Sequence, residues 1–201
     1  MVVGEAAAWE ALSRLDPADV CRRALATYDK PAGHYVLRCF DQDIRVSPAE
    51  RRLSAGPGVG DCLLGRLATY STLPILWYLI GAQDVPVSGR LVRPADIKGG
   101  LIYERGTHAL PLGRLAEKYG HDPAAFVGKA RDLDGLGVDY GDAAVRLRPL
   151  PRVPVVIILW QTDGEFSPRA SLLFDSTCEL HLRPDVIWST AMMSVLIMLD
   201  C

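Results

Sequence analysis

The clearest pattern in the chain lies between Ala143 and Leu199. Ala143, Val145 and Leu147 alternate with Ala144, Arg146 and Arg148, the period of a half-buried strand. Val153 to Trp160 is an unbroken apolar run, which predicts a central strand covered on both faces. Asp163-Gly164 is a hairpin turn signal, and Ala170 to Asp175 is the predicted return strand, with Ala170, Leu172 and Phe174 on one face. Pro184-Asp185 opens a helix to about Leu199. That helix is apolar almost all round, so it is predicted to lie buried against the sheet.

The earlier part of the chain is more helical. Ala8, Leu12 and Leu15, with Trp9 beside them, fit an amphipathic helix over Glu5 to Leu15. Asp16-Pro17 reads as a cap with proline in the first turn. A second helix is predicted through Val20, Ala24, Leu25 and Tyr28, ended by Pro31 and Gly33. Tyr35 to Phe40 and Ile44 to Val46 predict an antiparallel hairpin. The glycine-rich Ser54 to Gly60 is a loop without the Gly-Lys-Ser/Thr ending of a phosphate loop. Asp61 caps a predicted helix over Cys62 to Ile80, with a kink or split at Pro74 and a stop at Gly81. Val85 to Gly100 is an irregular connection, and Leu101 to Glu104 reads as a short strand. Pro111 and Asp122-Pro123 open two more helices, the second burying Ala125, Phe126 and Ala130.

This order predicts an α+β fold: an antiparallel sheet with segregated helices, and a C-terminal β-meander closed by a buried helix. We expect one domain over 1–201, with an N-terminal helical extension of about 1–30 and a core of about 31–199. The glycines at 135–141 allow a boundary there. Composition narrows the partners. With 22 Lys plus Arg against 24 Asp plus Glu, the net charge of -2 gives no footprint for nucleic acid or an acidic membrane. Leu73 to Ile80 and Val186 to Leu199 fall short of the ~20 apolar residues a bilayer requires, and the start of the chain has no secretory pattern. The cysteines at 21, 39, 62, 178 and 201 are widely and irregularly spaced. They read as five reduced thiols in a cytoplasm.

Four groups carry candidate chemistry. Asp175, Cys178 and His181 are spaced three apart and are all metal-ligand types, with His108 as an outside donor. The plain alternative is that Asp175 caps amides, Cys178 packs in the core and His181 bonds locally. Arg146 and Arg148 share one strand face, with Arg152 and Arg169 nearby. Guanidinium groups so placed grip a carboxylate or phosphate, or else form cross-strand pairs with Asp163, Glu165 or Asp175. Trp77, Tyr78, Tyr103 and Trp160, near Gly99-Gly100, line a flat ligand pocket or simply fill the core.

Several short motifs occur in one order: His108-Ala-Leu-Pro-Leu112, Gly141-Asp142-Ala143-Ala144, Pro149-Leu-Pro-Arg-Val-Pro154, Asp163-Gly-Glu-Phe166, Pro168-Arg-Ala170 and Leu173-Phe-Asp175. In these the chain, from about Ala24 to Leu199, resembles the prokaryotic domain-of-unknown-function family 3786. Relatives occur in anaerobic bacteria and archaea, some fused behind an iron–sulfur domain similar to that of corrinoid iron–sulfur proteins. The resemblance implies a link to corrinoid or one-carbon metabolism. This chain lacks the cysteine row such a cluster needs. The expectation is a cytoplasmic, non-catalytic module that binds a small molecule or protein partner, with a corrinoid or other tetrapyrrole as candidate cofactor. Its expected ligand contacts are Trp77, Tyr103, His108, Arg146, Arg169, Asp175 and His181, with a histidine as axial donor. A metal-dependent or acid–base enzyme at Asp175, Cys178 and His181, and a structural subunit of a complex, are the alternatives.

Overall fold

The computed structural model describes residues 4–104, 106–162 and 165–201. Two helices open the chain, α1 (Glu5–Ser13) and α2 (Pro17–Ala24). Asp16 caps α2 by accepting a hydrogen bond from the Asp19 amide. The second helix was expected to reach Tyr28, but it ends at Ala24 because Leu25 turns left-handed (φ 52°). Tyr28 instead lies in β1 (Thr27–Asp29), opposite Tyr35 of β2 (His34–Cys39), and their rings pack 4.8 Å apart. The predicted hairpin is present as β2 with β3 (Gln42–Ser47). β4 (Arg52–Ser54) completes a four-stranded antiparallel meander.

The helical middle begins with one turn, α3 (Val59–Asp61), followed by a π-helical stretch at Cys62–Arg66 and then α4 (Ala68–Gly81). The sequence placed the break at Pro74, yet α4 runs through Pro74. The irregularity sits upstream, where the buried Ser71 hydroxyl donates to the Leu63 carbonyl. Asp61 was expected to cap a helix from Cys62, but it lies inside α3 and its carboxylate accepts from the Gly58 amide one turn back, at the start of α3. Beyond α4, β5 (Leu91–Val92) interrupts an otherwise irregular strap. The strand expected at Leu101 to Glu104 is a 3-10 turn. α5 (Leu112–Tyr119) and α6 (Pro123–Arg131) follow, with Asp122 capping α6 through the Ala125 amide. Ala125, expected inside, is exposed, because the buried stripe of α6 runs through Phe126 and Ala130 and Ala125 falls outside it.

The second sheet has the order β5-β9-β8-β7-β6, all antiparallel, with β6 (Leu136–Val138), β7 (Ala143–Leu150), β8 (Val153–Trp160) and β9 (Arg169–Asp175). β8 is central, as its apolar run predicts. β6 occupies the stretch 135–141 that was a possible boundary. The Asp163-Gly164 turn lies outside the described residues. A short helix, α7 (Cys178–His181), leads to α8 (Pro184–Asp200). α8 is buried as predicted, and its inward hydroxyls are satisfied within the helix: Thr190 donates to Val186 O and Ser194 to Thr190 O.

Gly141 and Asp142 close the outer end of β7. Gly141 has φ +55°, and a Cβ there would come within 2.6 Å of Ile158 Cγ2. The Asp142 carboxylate accepts from the Gln161 amide at 2.8 Å. At the other end of β7 the register with β8 shifts between Leu147 and Leu150. There the Arg148 carbonyl accepts from the Phe40 amide at 2.8 Å, which joins the two sheets. One contiguous hydrophobic core runs from Ala8 through both sheets to Met198.

Five free thiols were expected, and this is corrected. The end of α8 lies beside the π-helical turn, and Cys62 and Cys201 are joined in a disulfide, with Cα atoms 6.0 Å apart. Cys21, Cys39 and Cys178 are free. The last carbonyls of α8 are further held by Lys118 Nζ on Leu199 O and Tyr119 OH on Met198 O, both at 2.6 Å, and by Arg66 on Asp200 O.

Candidate functional site

The five-stranded sheet has two unlike faces. On one, Val145, Leu147, Val155, Ile157, Leu159, Leu172 and Phe174 are buried under the helices. On the other, Ala144, Val156 and Ile158 form an apolar floor, with Leu91, Val138, Trp160 and Leu173 half-buried around it. Arg146, Arg148 and Arg169 stand exposed at the margins of that floor. Cross-strand pairing sets their positions. Arg146 faces Val156, and Arg169 faces Trp160, four residues or about 13 Å further along β8.

Two depressions open on this outer face. A small one of about 150 Å³ is bounded by Tyr140, Arg146, Pro154, Val156 and Asp175. A wider one of about 740 Å³ is bounded by Asp142, Trp160, Gln161, Thr162, Phe166 and Arg169. The Arg169 guanidinium lies 4.3 Å from the centre of the Trp160 ring. Among the described residues neither Arg146 nor Arg148 has an ion-pair partner. Asp175, one proposed partner, is occupied elsewhere, and Asp163 lies outside the described residues.

Asp175 is 1% exposed and serves as an anchor. Its Oδ1 accepts from the Ser88 amide and hydroxyl and from the Thr177 amide and hydroxyl, and its Oδ2 accepts from the Gly89 amide at 2.7 Å. Burial alone would push this carboxyl up. The hydrogen bonds from Thr177, Ser88 and Gly89 outweigh it, and the net shift is downward. The strap over 85–90 is thereby tied to the end of β9, helped by the Ser176 amide on Arg90 O.

The neighbouring metal-ligand types do not converge. Among the described residues no three His, Cys, Asp or Glu side chains are placed to hold a metal ion. Burial pushes the Cys178 thiol up to about 12, with the Glu179 charge adding to it, so the thiol is protonated at neutral pH. His181 is 2% exposed. Its Nδ1 accepts from the Gln83 amide, which leaves the proton on Nε2, and Nε2 has no partner. Burial, with Arg152 nearby, holds its pKa below the ordinary value.

The other expected contacts are dispersed. Trp77 and His181 border a cleft of about 400 Å³ with Lys98 and Arg183, and the Arg183 guanidinium lies 5.2 Å from the Trp77 ring centre. Tyr103 is buried, donates to Pro184 O at 2.7 Å, and packs edge-on against Phe174 of the helix-covered face. His108 packs edge-on against Trp188, whose indole N–H donates to the His108 carbonyl at 2.7 Å. Tyr78 is fully buried, and its hydroxyl accepts from the Arg152 amide and donates to Ala24 O. Trp77, Tyr103 and Trp160 therefore do not share one pocket.

Arg152 differs from the other arginines weighed for anion binding. It is 7% exposed, and its guanidinium donates to Arg23 O, Val85 O and Arg22 O and pairs with Asp84 at 2.6 Å. It closes the carbonyl end of α2. Sequence reading missed Tyr140 and Pro154 beside Arg146, and Lys98 and Arg183 beside Trp77. Tyr140 could be placed only by recognising β6, a three-residue strand without a periodic signal.

A family model described as Domain of unknown function (DUF3786) matches residues 16–196. No curated protein and no solved structure matches the chain. Among the described residues no helix is long and apolar enough to cross a membrane.

Proposed function

The chain belongs to the DUF3786 family, and from the geometry of its open sheet face we propose that it is a non-catalytic binding module for a flat, carboxylate-bearing small molecule. The observation that carries this reading is the pair of exposed arginines, Arg146 and Arg148, on an apolar floor with no carboxylate partner among the described residues. Apolar surface flanked by unpaired guanidinium groups suits a ligand with a hydrophobic body and peripheral carboxylates. Trp160, backed by Arg169, supplies a stacking surface, and Tyr140 borders Arg146 in the smaller depression.

A tetrapyrrole fits that description, and the link to corrinoid or one-carbon metabolism is part of the proposal. Neither His108 nor His181 borders the arginine face, so axial ligation by them is not part of it. Binding then rests on stacking and carboxylate pairing. Haem, with free propionates, is favoured over cobalamin, whose side chains are amides. Titration of the purified protein with each, followed by absorbance, tests this. A shift with haem that Arg146→Ala and Arg169→Ala each weaken about tenfold supports it. No shift with either compound at roughly 50 µM overturns the tetrapyrrole assignment.

A cytoplasmic address belongs to the same reading, and the cysteines test it. Protein alkylated at the moment of lysis carries label on Cys62 and Cys201 if the chain resides among reductants. It carries none there if the bond is formed in an oxidising compartment.

A further inference from the structure

We propose that Cys62 and Cys201 form a reversible thiol–disulfide exchange site for low-molecular-weight thiols, with Cys201 the sulfur that is attacked and Cys62 the sulfur that leaves and later recloses the bond. The inference goes beyond the ligand reading of the sheet. It rests on the cytoplasmic address proposed above, which supplies the thiols.

The five cysteines fall into two groups. Cys21, Cys39 and Cys178 are free thiols packed into or against the core, and burial raises the pKa of each. Thiols of that kind are poor nucleophiles at neutral pH. Cys62 is half-buried and Cys201 is exposed. Their Cα atoms are 6.0 Å apart, within the span of an ordinary disulfide, so closing the bond asks only for rotation of the two side chains.

The bond joins two segments that other contacts already hold together. At the end of α8, Lys118 Nζ donates to Leu199 O and Tyr119 OH to Met198 O. Arg66, from the same π-helical turn as Cys62, donates to Asp200 O. These contacts do not involve sulfur, so they keep the two thiols within reach when the bond is open, which favours closing. The charges beside Cys201 favour opening. Arg66 and Arg114 both bind Asp200, the residue before it, and Lys118 lies on the same turn. A cationic surround stabilises a released thiolate. An exposed disulfide balanced in this way exchanges, where a buried structural one persists.

The chemistry closes without another reagent. A low-molecular-weight thiolate attacks Cys201 Sγ, the bond between the two cysteines breaks, and Cys62 leaves with the electron pair and takes a proton from water. A second thiolate attacks the mixed disulfide and releases Cys201 together with the small disulfide. The protein gains two electrons, and two small thiols are oxidised to one disulfide. Closing is the same path in reverse, with Cys62 attacking the mixed disulfide on Cys201.

The test uses the full purified chain in glutathione buffers, with thiols trapped by acid and counted by mass spectrometry. About 5 mM reduced glutathione should open the bond within hours, and about 1 mM glutathione disulfide should close it again. In Cys62→Ser, glutathione disulfide should leave a stable adduct on Cys201. In Cys201→Ser, the adduct on Cys62 should form about tenfold more slowly. Should either variant fold poorly, the unmodified reduced protein gives the polarity, because Cys201 should react with iodoacetamide about tenfold faster than Cys62. A bond still closed after a day in about 10 mM glutathione, thiols that stay open in glutathione disulfide, or Cys62 reacting as fast as Cys201 overturns the proposal. These results come from purified protein, so they stand apart from the lysis labelling that tests the address.

Discussion

The two faces of the five-stranded sheet are written by the same alternation in β7, β8 and β9, yet they reach different ends. On the inner face Val145, Leu147, Val155, Ile157, Leu159, Leu172 and Phe174 are buried under the helices, with Ala143 and Ala170 half-buried at its end. On the outer face the apolar floor is narrow, and arginines replace aliphatics at its margins. The inner face shows what stability requires of a strand, which is volume matched to a helix layer. Among the described residues Arg146 and Arg148 have no carboxylate partner on the outer face, and the proposed binding reading rests on that contrast.

Four measurements sharpen or break this contrast. The largest effect should come from neighbouring leucines that point to opposite faces. Leu172→Ala, on the buried face, should destabilise by about 4 kcal/mol in denaturant unfolding, whereas Leu173→Ala should cost about 1 kcal/mol. Equal losses would show that the outer face is packed as tightly as the inner one. Arg152→Ala should cost about 3 kcal/mol, because it removes the buried donor of the Arg22, Arg23 and Val85 carbonyls, although Asp84 keeps its pairing with Arg22. A mild effect would place Arg152 with the outer-face arginines rather than apart from them.

The pH dependence should be smaller. The His181 pKa is lowered from 6.5 on folding, so the unfolded chain binds the proton more readily. Its contribution is present above about pH 6.5 and lost as pH falls toward the folded value. Asp175, lowered from 3.8, adds a second loss only below about pH 4. A thermal midpoint that is flat between pH 7 and 5 in the unmodified protein, or a slope unchanged by His181→Gln, would contradict the assignment. The smallest effect on stability belongs to Arg146→Ala, within about 0.5 kcal/mol. A larger loss would give Arg146 a structural partner and remove the main support for the binding face.

Long periodic segments made much of this fold legible. β7, β8, β9 and α8 follow from the change in period after Gly141, and Asp16 and Asp122 cap helix starts as their positions suggest. The two-residue and three-residue strands β5, β4 and β6 show no periodicity to detect. Leu25 ends α2 in a left-handed conformation that no glycine or proline announces, so the helix was drawn too far, across β1. The candidate site was legible residue by residue and illegible as a constellation. Arg146 and Arg169 share a face, as alternation predicts. Tyr103 is buried against Phe174, and His108 lies exposed against Trp188, so neither joins that face. The pairing of Cys62 with Cys201 spans 139 residues of sequence and depends on how α8 runs back along α4.

The strap between α4 and β5 has almost no regular structure, yet it is fastened twice: Arg152 grips the Val85 carbonyl, and Asp175 holds the amides of Ser88 and Gly89. Both fasteners belong to the most deeply interlocked part of the molecule. Local opening of this segment would break both contacts, so the Ser88 and Gly89 amides should exchange slowly and proteases that nick ordinary surface loops should cut it slowly.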